Sequence, residues 1–172
     1  MPTQDADINT KAALAVETSG RIGSVALGCG STVQAELVFS GFMRQGAELL
    51  PRIQTLLRDA NCAPADIQKV IITVGPGSFT GLRIAVTVAK MLSFSHGTNI
   101  VALDSTDVIA ANAPTVDPKT GQPIERVCTI LDAKRNLFYS SVFDRGPDGW
   151  TKILGTEALR AEELFKRMKQ LP

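Results

Sequence analysis

The 172-residue chain has little of what metal, redox and secretory chemistry usually require. It holds one histidine, His96, and three cysteines, Cys29, Cys62 and Cys128, far apart and odd in number. With no CxxC pair, neither a zinc site nor a disulfide framework is indicated, and the thiols read as small buried side chains in a reducing compartment. Lysine plus arginine number 18 against 17 aspartate plus glutamate, a net charge of +1, and no basic run stands out. That balance promises no strong pull toward nucleic acid or anionic lipid, so any nucleic acid is expected to be handled through a partner. No apolar run approaches the roughly 20 residues of a membrane span. The opening MPTQDADINTK is polar and lacks the apolar centre of a signal peptide. The expectation is a soluble, cytoplasmic protein with no membrane contact.

What is present is a chain that can fill a core. Apolar residues make up 44% of it, enough for one domain or two small lobes. After a loose tail over 1–11, AALAVE, SVALG and TVQAELVF read as a three-stranded meander. Residues 47–60 place Leu49, Leu50, Ile53, Leu56, Leu57 and Ala60 on one helical face, with Pro51 near the first turn. KVIITV reads as a covered central strand, followed by a helix from Phe79 and a further strand, NIVAL. Asp104 or Ser105 can cap a short helix, and the Pro/Gly/Lys-rich PTVDPKTGQP marks a boundary. RVCTILD and LFYSSVFD then form a hairpin, with a turn at RGPDG, a strand near TKIL and a last amphipathic helix.

Two hairpins echo each other. LAVETSGRIGSVAL and TILDAKRNLFYSSVF both run apolar strand, carboxylate, polar turn, second strand, with Glu17 and Asp132 in matching places. The pattern is short enough to arise by chance, yet it suggests a duplicated unit. Two such lobes describe the actin/hexokinase/Hsp70 (ASKHA) superfamily: an α/β fold with a mixed sheet flanked by helices. The first lobe is expected over 12–104 and a second, incomplete lobe over 105–172.

The segment VGPGSFTGLRIAVTVAKML, residues 74–92, resembles a phosphate loop leading into a helix. A Walker loop needs a lysine and a hydroxyl directly after its last glycine, but Leu82 and Arg83 follow Gly81. The G-x-G-x-x-G spacing also fails, because Gly81 stands four residues after Gly77. The structural reading is stronger. Gly75, Pro76 and Gly77 supply a sharp turn, Ser78 an N-cap, and Gly81 a place where another backbone approaches closely.

Around the helix that follows, Arg83, Thr87, Lys90 and Phe94 fall in one narrow stripe, and aliphatic residues cover most of the remaining circumference. A helix on one sheet face needs an apolar arc of only a little over 100°. A second surface must cover the excess. Either the neighbouring helix 47–60 does so or a partner does, and the expected partner face comprises Leu49, Ile53, Leu56, Leu57, Phe79, Gly81, Ile84, Ala85, Val88 and Met91.

These stretches, GPGSFTGLRIAVTVAKML above all, together with LAVETS, GSVAL, ELLPRIQTLL and LDAKRNLFYSSVFD in the same order, resemble the bacterial TsaB (YeaZ) family. The likeness runs from about Ala12 to the end of the chain. It implies an ASKHA fold and a role in making threonylcarbamoyladenosine (t6A) in tRNA as a non-catalytic paralogue of the transferase TsaD. The resemblance further implies pairing with a TsaD-like protein through first-lobe helices, a TsaE-like ATPase in the assembled complex, a homodimer when alone, and only indirect contact with tRNA. Family members often carry a histidine where this chain has Gln45. Metalloenzyme relatives hold their metal with two histidines one helical turn apart. The lone His96, beside Gly97 at a helix end, reads as a cap rather than a ligand.

The rival reading is a stand-alone ATPase or small-molecule kinase of the same fold. Catalytic members of the superfamily cradle phosphates with glycine-rich hairpins. Glu17, Thr18, Ser19 and Gly20 could partly serve, whereas DAKRNLFY has no glycine. Glu17 and Asp132 are candidates to hold magnesium, although strand-end carboxylates more often bond their own turn. No metal or intrinsic cofactor is expected, and a nucleotide only at a partner junction.

Overall fold

The computed structural model describes residues 12–40 and 45–171, the side chains of Ser40 and Gln45 excepted. The tail 1–11 and the Gln45 side chain therefore lie outside the described residues. The chain divides between Leu103 and Asp104 into two compact units.

In the first unit, strands β1 (Ala12–Glu17), β2 (Ile22–Cys29) and β3 (Thr32–Ser40) form an antiparallel meander. Helix α1 (Gln45–Asp59) and a single 3-10 turn (Pro64–Asp66) lead to β4 (Ile67–Thr73), which pairs parallel with β1. Helix α2 (Phe79–His96) leads to β5 (Asn99–Leu103), parallel to β4, giving the order β3-β2-β1-β4-β5. Period-2 alternation decides which face is buried. Leu14 opposes Leu27, Val16 opposes Val25, and all four are buried. Against that face lie Leu49, Ile53, Leu56 and Leu57 of α1 and Ala85, Val88, Ala89 and Leu92 of α2. One contiguous apolar cluster results.

Local details depart from the expected pattern where neighbours intervene. Helix α1 starts at Gln45, so Pro51 sits inside it rather than in its first turn. Pro51 and Ala47 are both exposed, so the Ala47 carbonyl that loses its i+4 donor faces water. Leu50, expected on the apolar face, is 42% exposed. The cap that ends α2 is Gly97, in a left-handed conformation at φ 71° with its N–H donating to the Ser93 carbonyl, and not the side chain of the exposed His96. Cys62 is buried, but Cys29 and Cys128 are only partly so.

The second unit comprises α3 (Ser105–Ala111), an antiparallel sheet of β6 (Arg126–Lys134), β7 (Leu137–Gly146) and β8 (Gly149–Leu159), and α4 (Ala161–Met168). The stretch 114–123 lies inside this unit rather than at the division. Strand β8 is longer than TKIL because β7 pairs with it along its length, with register shifts near Val142. The apolar centre is small: Ala110, Val142, Phe143, Leu159 and Leu164. Hydroxyls fill in around it. Thr156 Oγ1 lies 3.2 Å from Thr106 Oγ1 and 2.9 Å from Ser141 Oγ, and Thr129 donates to the Ser141 carbonyl at 3.4 Å. Lys152 bridges Asp104 at 2.9 Å and Asp107 at 2.8 Å while its ammonium stands over the Phe143 ring.

Candidate functional site

The loop between β4 and α2 is a joint. Gly75 has φ of 115°, a conformation that side chains rarely adopt, and the Gly75–Pro76 peptide is cis. A Cβ at Gly77 would stand 2.7 Å from the Ser19 carbonyl oxygen, so only glycine lets the two backbones meet there. The Ser78 N–H donates to that same carbonyl at 2.7 Å. Ser78 Oγ caps α2 by accepting from Gly81 N–H at 3.3 Å. The buried Thr18 hydroxyl donates to the Gly81 carbonyl at 2.7 Å.

Three contacts thus stitch the β1–β2 turn to the start of α2. A tight backbone approach occurs at Gly77, and the Thr18 hydroxyl reaches the Gly81 carbonyl. Thr18 and Ser19, candidates for holding a cofactor, use the Thr18 hydroxyl and the Ser19 carbonyl to hold α2. Nothing in the local sequence marks that role, because the partners lie some sixty residues apart.

The paired carboxylates behave alike. Glu17 accepts from the Ser19 N–H, and the two Asp132 oxygens accept at 2.8 Å from the Lys134 N–H and from its ammonium. Each anion therefore braces a turn two residues on. The turns themselves differ: 18–21 has four residues, whereas Lys134, Arg135 and Asn136 all take positive φ in a tighter reversal. Among the described residues no group of three histidine, cysteine or carboxylate side chains is close enough to hold a metal.

A surface groove lies between α1 and α2. It has a volume of about 410 Å³ and is lined by Gly46, Leu49, Leu50, Thr80, Arg83, Ile84, Thr87 and Val88. Gly46 of α1 stands beside Ile84 of α2, where a Cβ would meet Ile84 Cδ1 at 3.4 Å, an ordinary van der Waals contact. Of the ten residues expected to form an exposed partner face, Leu49, Ile53, Leu56, Leu57, Gly81, Ala85 and Val88 are buried within the unit itself. That expectation is corrected for these seven. The two helices lie over the same sheet face, and the sheet covers their inward arcs. Ile84 is half-buried, and Phe79 and Met91 are 73% and 49% exposed. Leu50, outside the expected partner face, lines the groove, and Phe94 further along α2 is 96% exposed. The stripe of Arg83, Thr87, Lys90 and Phe94 is exposed throughout.

A sheet of order 3-2-1-4-5, an antiparallel meander extended by two parallel strands and covered by two helices, is the lobe of an ASKHA-type α/β fold. The family model described as TsaD, tRNA N6-adenosine threonylcarbamoyltransferase, matches residues 45–170. The chain is 34% identical over 130 residues to the tRNA threonylcarbamoyladenosine biosynthesis protein TsaB of Bacillus subtilis, covering 76% of this chain and 54% of that protein. It is 30% identical over 160 residues to TsaB of Escherichia coli, covering 92% and 66%. Among solved structures, YeaZ from Pseudomonas aeruginosa superimposes with a TM-score of 0.75 at 26% identity, covering 88% of this chain and 68% of the other. The chain belongs to the TsaB (YeaZ) family. It spans 54% to 66% of the length of these two curated relatives. Among the described residues no helix is long and apolar enough to cross a membrane.

Proposed function

We propose that the chain acts in t6A formation on tRNA as a non-catalytic subunit that docks a TsaD-like transferase on the α1/α2 face. The names of its relatives support the pathway, and the TsaD family match supports the partner. The observation that carries the docking face is the groove between α1 and α2, with the exposed Leu50 in its lining and Phe79 and Met91 left in water on the same helix α2. A TsaE-like ATPase joins the assembled complex, tRNA is met only through the partners, and any nucleotide sits at a partner junction. Alone, the chain pairs with a second copy through the same face.

The test is Met91→Glu or Ile84→Glu, measured by co-purification with the TsaD-family protein of the same genome and by light scattering. Folded variants that no longer retain the partner are the expected result. Retention equal to that of the unmodified chain would move the docking face elsewhere. Val88→Glu is unsuitable, because that side chain is buried and a charge there would unfold the unit.

A further inference from the structure

An outer strand offers its unpaired backbone groups to any other strand, and the four outer strands of the two sheets are not alike. In the first unit they are β3, which carries Glu36 at its middle, and β5, which is five residues long. In the second unit β8 holds Lys152, Gly155 and Glu157 and shifts register against β7 near Val142. A central charge, short length and a broken register each blunt an edge. Strand β6 has none of these. It runs nine residues, and its centre, Val127 to Leu131, reads VCTIL, uncharged and without glycine or proline. Its pairing with β7 is regular from Arg126 to Asp132. Among the described residues no strand pairs with its other side. Ile130, in the middle of that edge, is 54% exposed. In the hairpin that β6 and β7 echo, the corresponding strand β1 has partners on both sides, β2 and β4.

We propose that β6 pairs with β6 of a second copy of the chain, antiparallel about a two-fold axis through Thr129, joining two three-stranded sheets into one of six strands. The residues of the strand select both the occupant and the register. Centred on Thr129, Arg126 of each copy faces Asp132 of the other, Val127 faces Leu131, and Cys128 faces Ile130. Opposite charges meet twice, and apolar side chains meet between them. The signs then alternate across the join, from Asp144 to its ion-pair partner Arg126 and on to Asp132 of the other strand. A shift of two residues is the smallest that keeps each face on its own side. It sets Arg126 against Lys134 in one direction and against Ile130 in the other, losing the match. The contact is isologous, so it uses both edges and closes at the dimer. It belongs to the second unit alone and is separate from the docking face on α1 and α2.

The test uses the Met91→Glu chain as parent, so that pairing through the helix face does not contribute. Sedimentation equilibrium of this parent is expected to show a monomer–dimer equilibrium. Ile130→Cys sets a thiol opposite Cys128 of the other strand, where directly opposed Cβ atoms stand about 4.5–5.5 Å apart, close to the reach of a disulfide. Mild oxidation is expected to give a covalent dimer, and adding Cys128→Ser is expected to abolish it. Asp132→Asn keeps an acceptor for the Lys134 N–H but removes the charge, and is expected to weaken the dimer about fivefold. Ile130→Lys places an ammonium on each edge within the pairing and is expected to weaken it about tenfold or more.

A parent that stays monomeric overturns the proposal. So does a dimer in which Ile130→Cys yields no covalent product, because the copies then meet elsewhere. A dimer indifferent to Asp132→Asn removes the charge match that selects a second copy, and overturns it as well. If Ile130→Lys releases the TsaD-family protein of the same genome while self-association is unchanged, the edge belongs to that partner and the proposal fails. Ile130 and Asp132 are both exposed, so each variant is expected to melt at the temperature of its parent.

Discussion

The two units of the chain are held together by different means. In the first, eighteen buried apolar side chains among the described residues make one cluster under α1 and α2. In the second, only five apolar side chains are buried among the described residues, beside the buried hydroxyls of Ser105, Thr106, Thr129, Ser140 and Ser141. Ion pairs take up part of the work there: Lys152 with Asp104 and Asp107, and Arg126 with Asp144 in facing positions on β6 and β7. Apolar burial is non-directional and tolerates change at its edge, whereas a hydroxyl network holds only while each partner is in place. The first unit can therefore present an exposed face without losing its core, and the second is the more easily loosened.

That contrast can be broken or sharpened in order of effect. Leu14→Ala, at a wholly buried position of the central strand β1, is expected to cost about 3–5 kcal/mol in urea denaturation followed by circular dichroism. Gly77→Ala forces its methyl group against the Ser19 backbone. It should cost about 1–3 kcal/mol and weaken partner binding as well, since the joint positions α2. Thr156→Val strands the Thr106 and Ser141 hydroxyls and should cost about 1–2 kcal/mol. Trp150 in β8 reports that unit, and an unmoved fluorescence midpoint would show that the hydroxyls contribute nothing.

The smallest effect is in acid. The hydrogen bond from Arg126 lowers the Asp144 pKa, partial burial opposes this, and the Arg126 charge adds to the lowering. A depressed carboxylate contributes stability that is present above its unfolded pKa and lost as pH falls through the folded one. Asp144→Asn should therefore lower the urea midpoint at pH 7, and the difference from the unmodified chain should close in acid below the ordinary carboxylate range. A gap that persists at pH 2 would mean that the asparagine acts through packing.

Much of this architecture is legible in the residues. The apolar run AALAVE ended by turn formers and the 3.6-residue period of 47–60 place β1 and α1, and the stripe Arg83, Thr87, Lys90 and Phe94 lies in water as its angular position implies. The helical wheel gives an angle but not an identity for what covers it. For that reason Ile53, Leu56 and Ala85, which face the sheet, could not be told from Met91 and Phe79, which face solvent. Gly77 was hidden for another reason: its neighbour, Ser19, belongs to a turn that only the pairing of β1 with β4 brings near. Register and close approach are non-local, and short stretches of sequence do not encode them.

The stitch between Ser19 and the Gly-Pro-Gly bend has a mechanical consequence. Helix α2 extends 18 residues from that joint, so a small tilt at its root becomes a displacement of ångströms at Phe94. The turn after β1 is therefore the fulcrum of the helix. Whatever reshapes those few residues re-aims the far end of the rod, and affinity for another protein could be set from a position that never touches it.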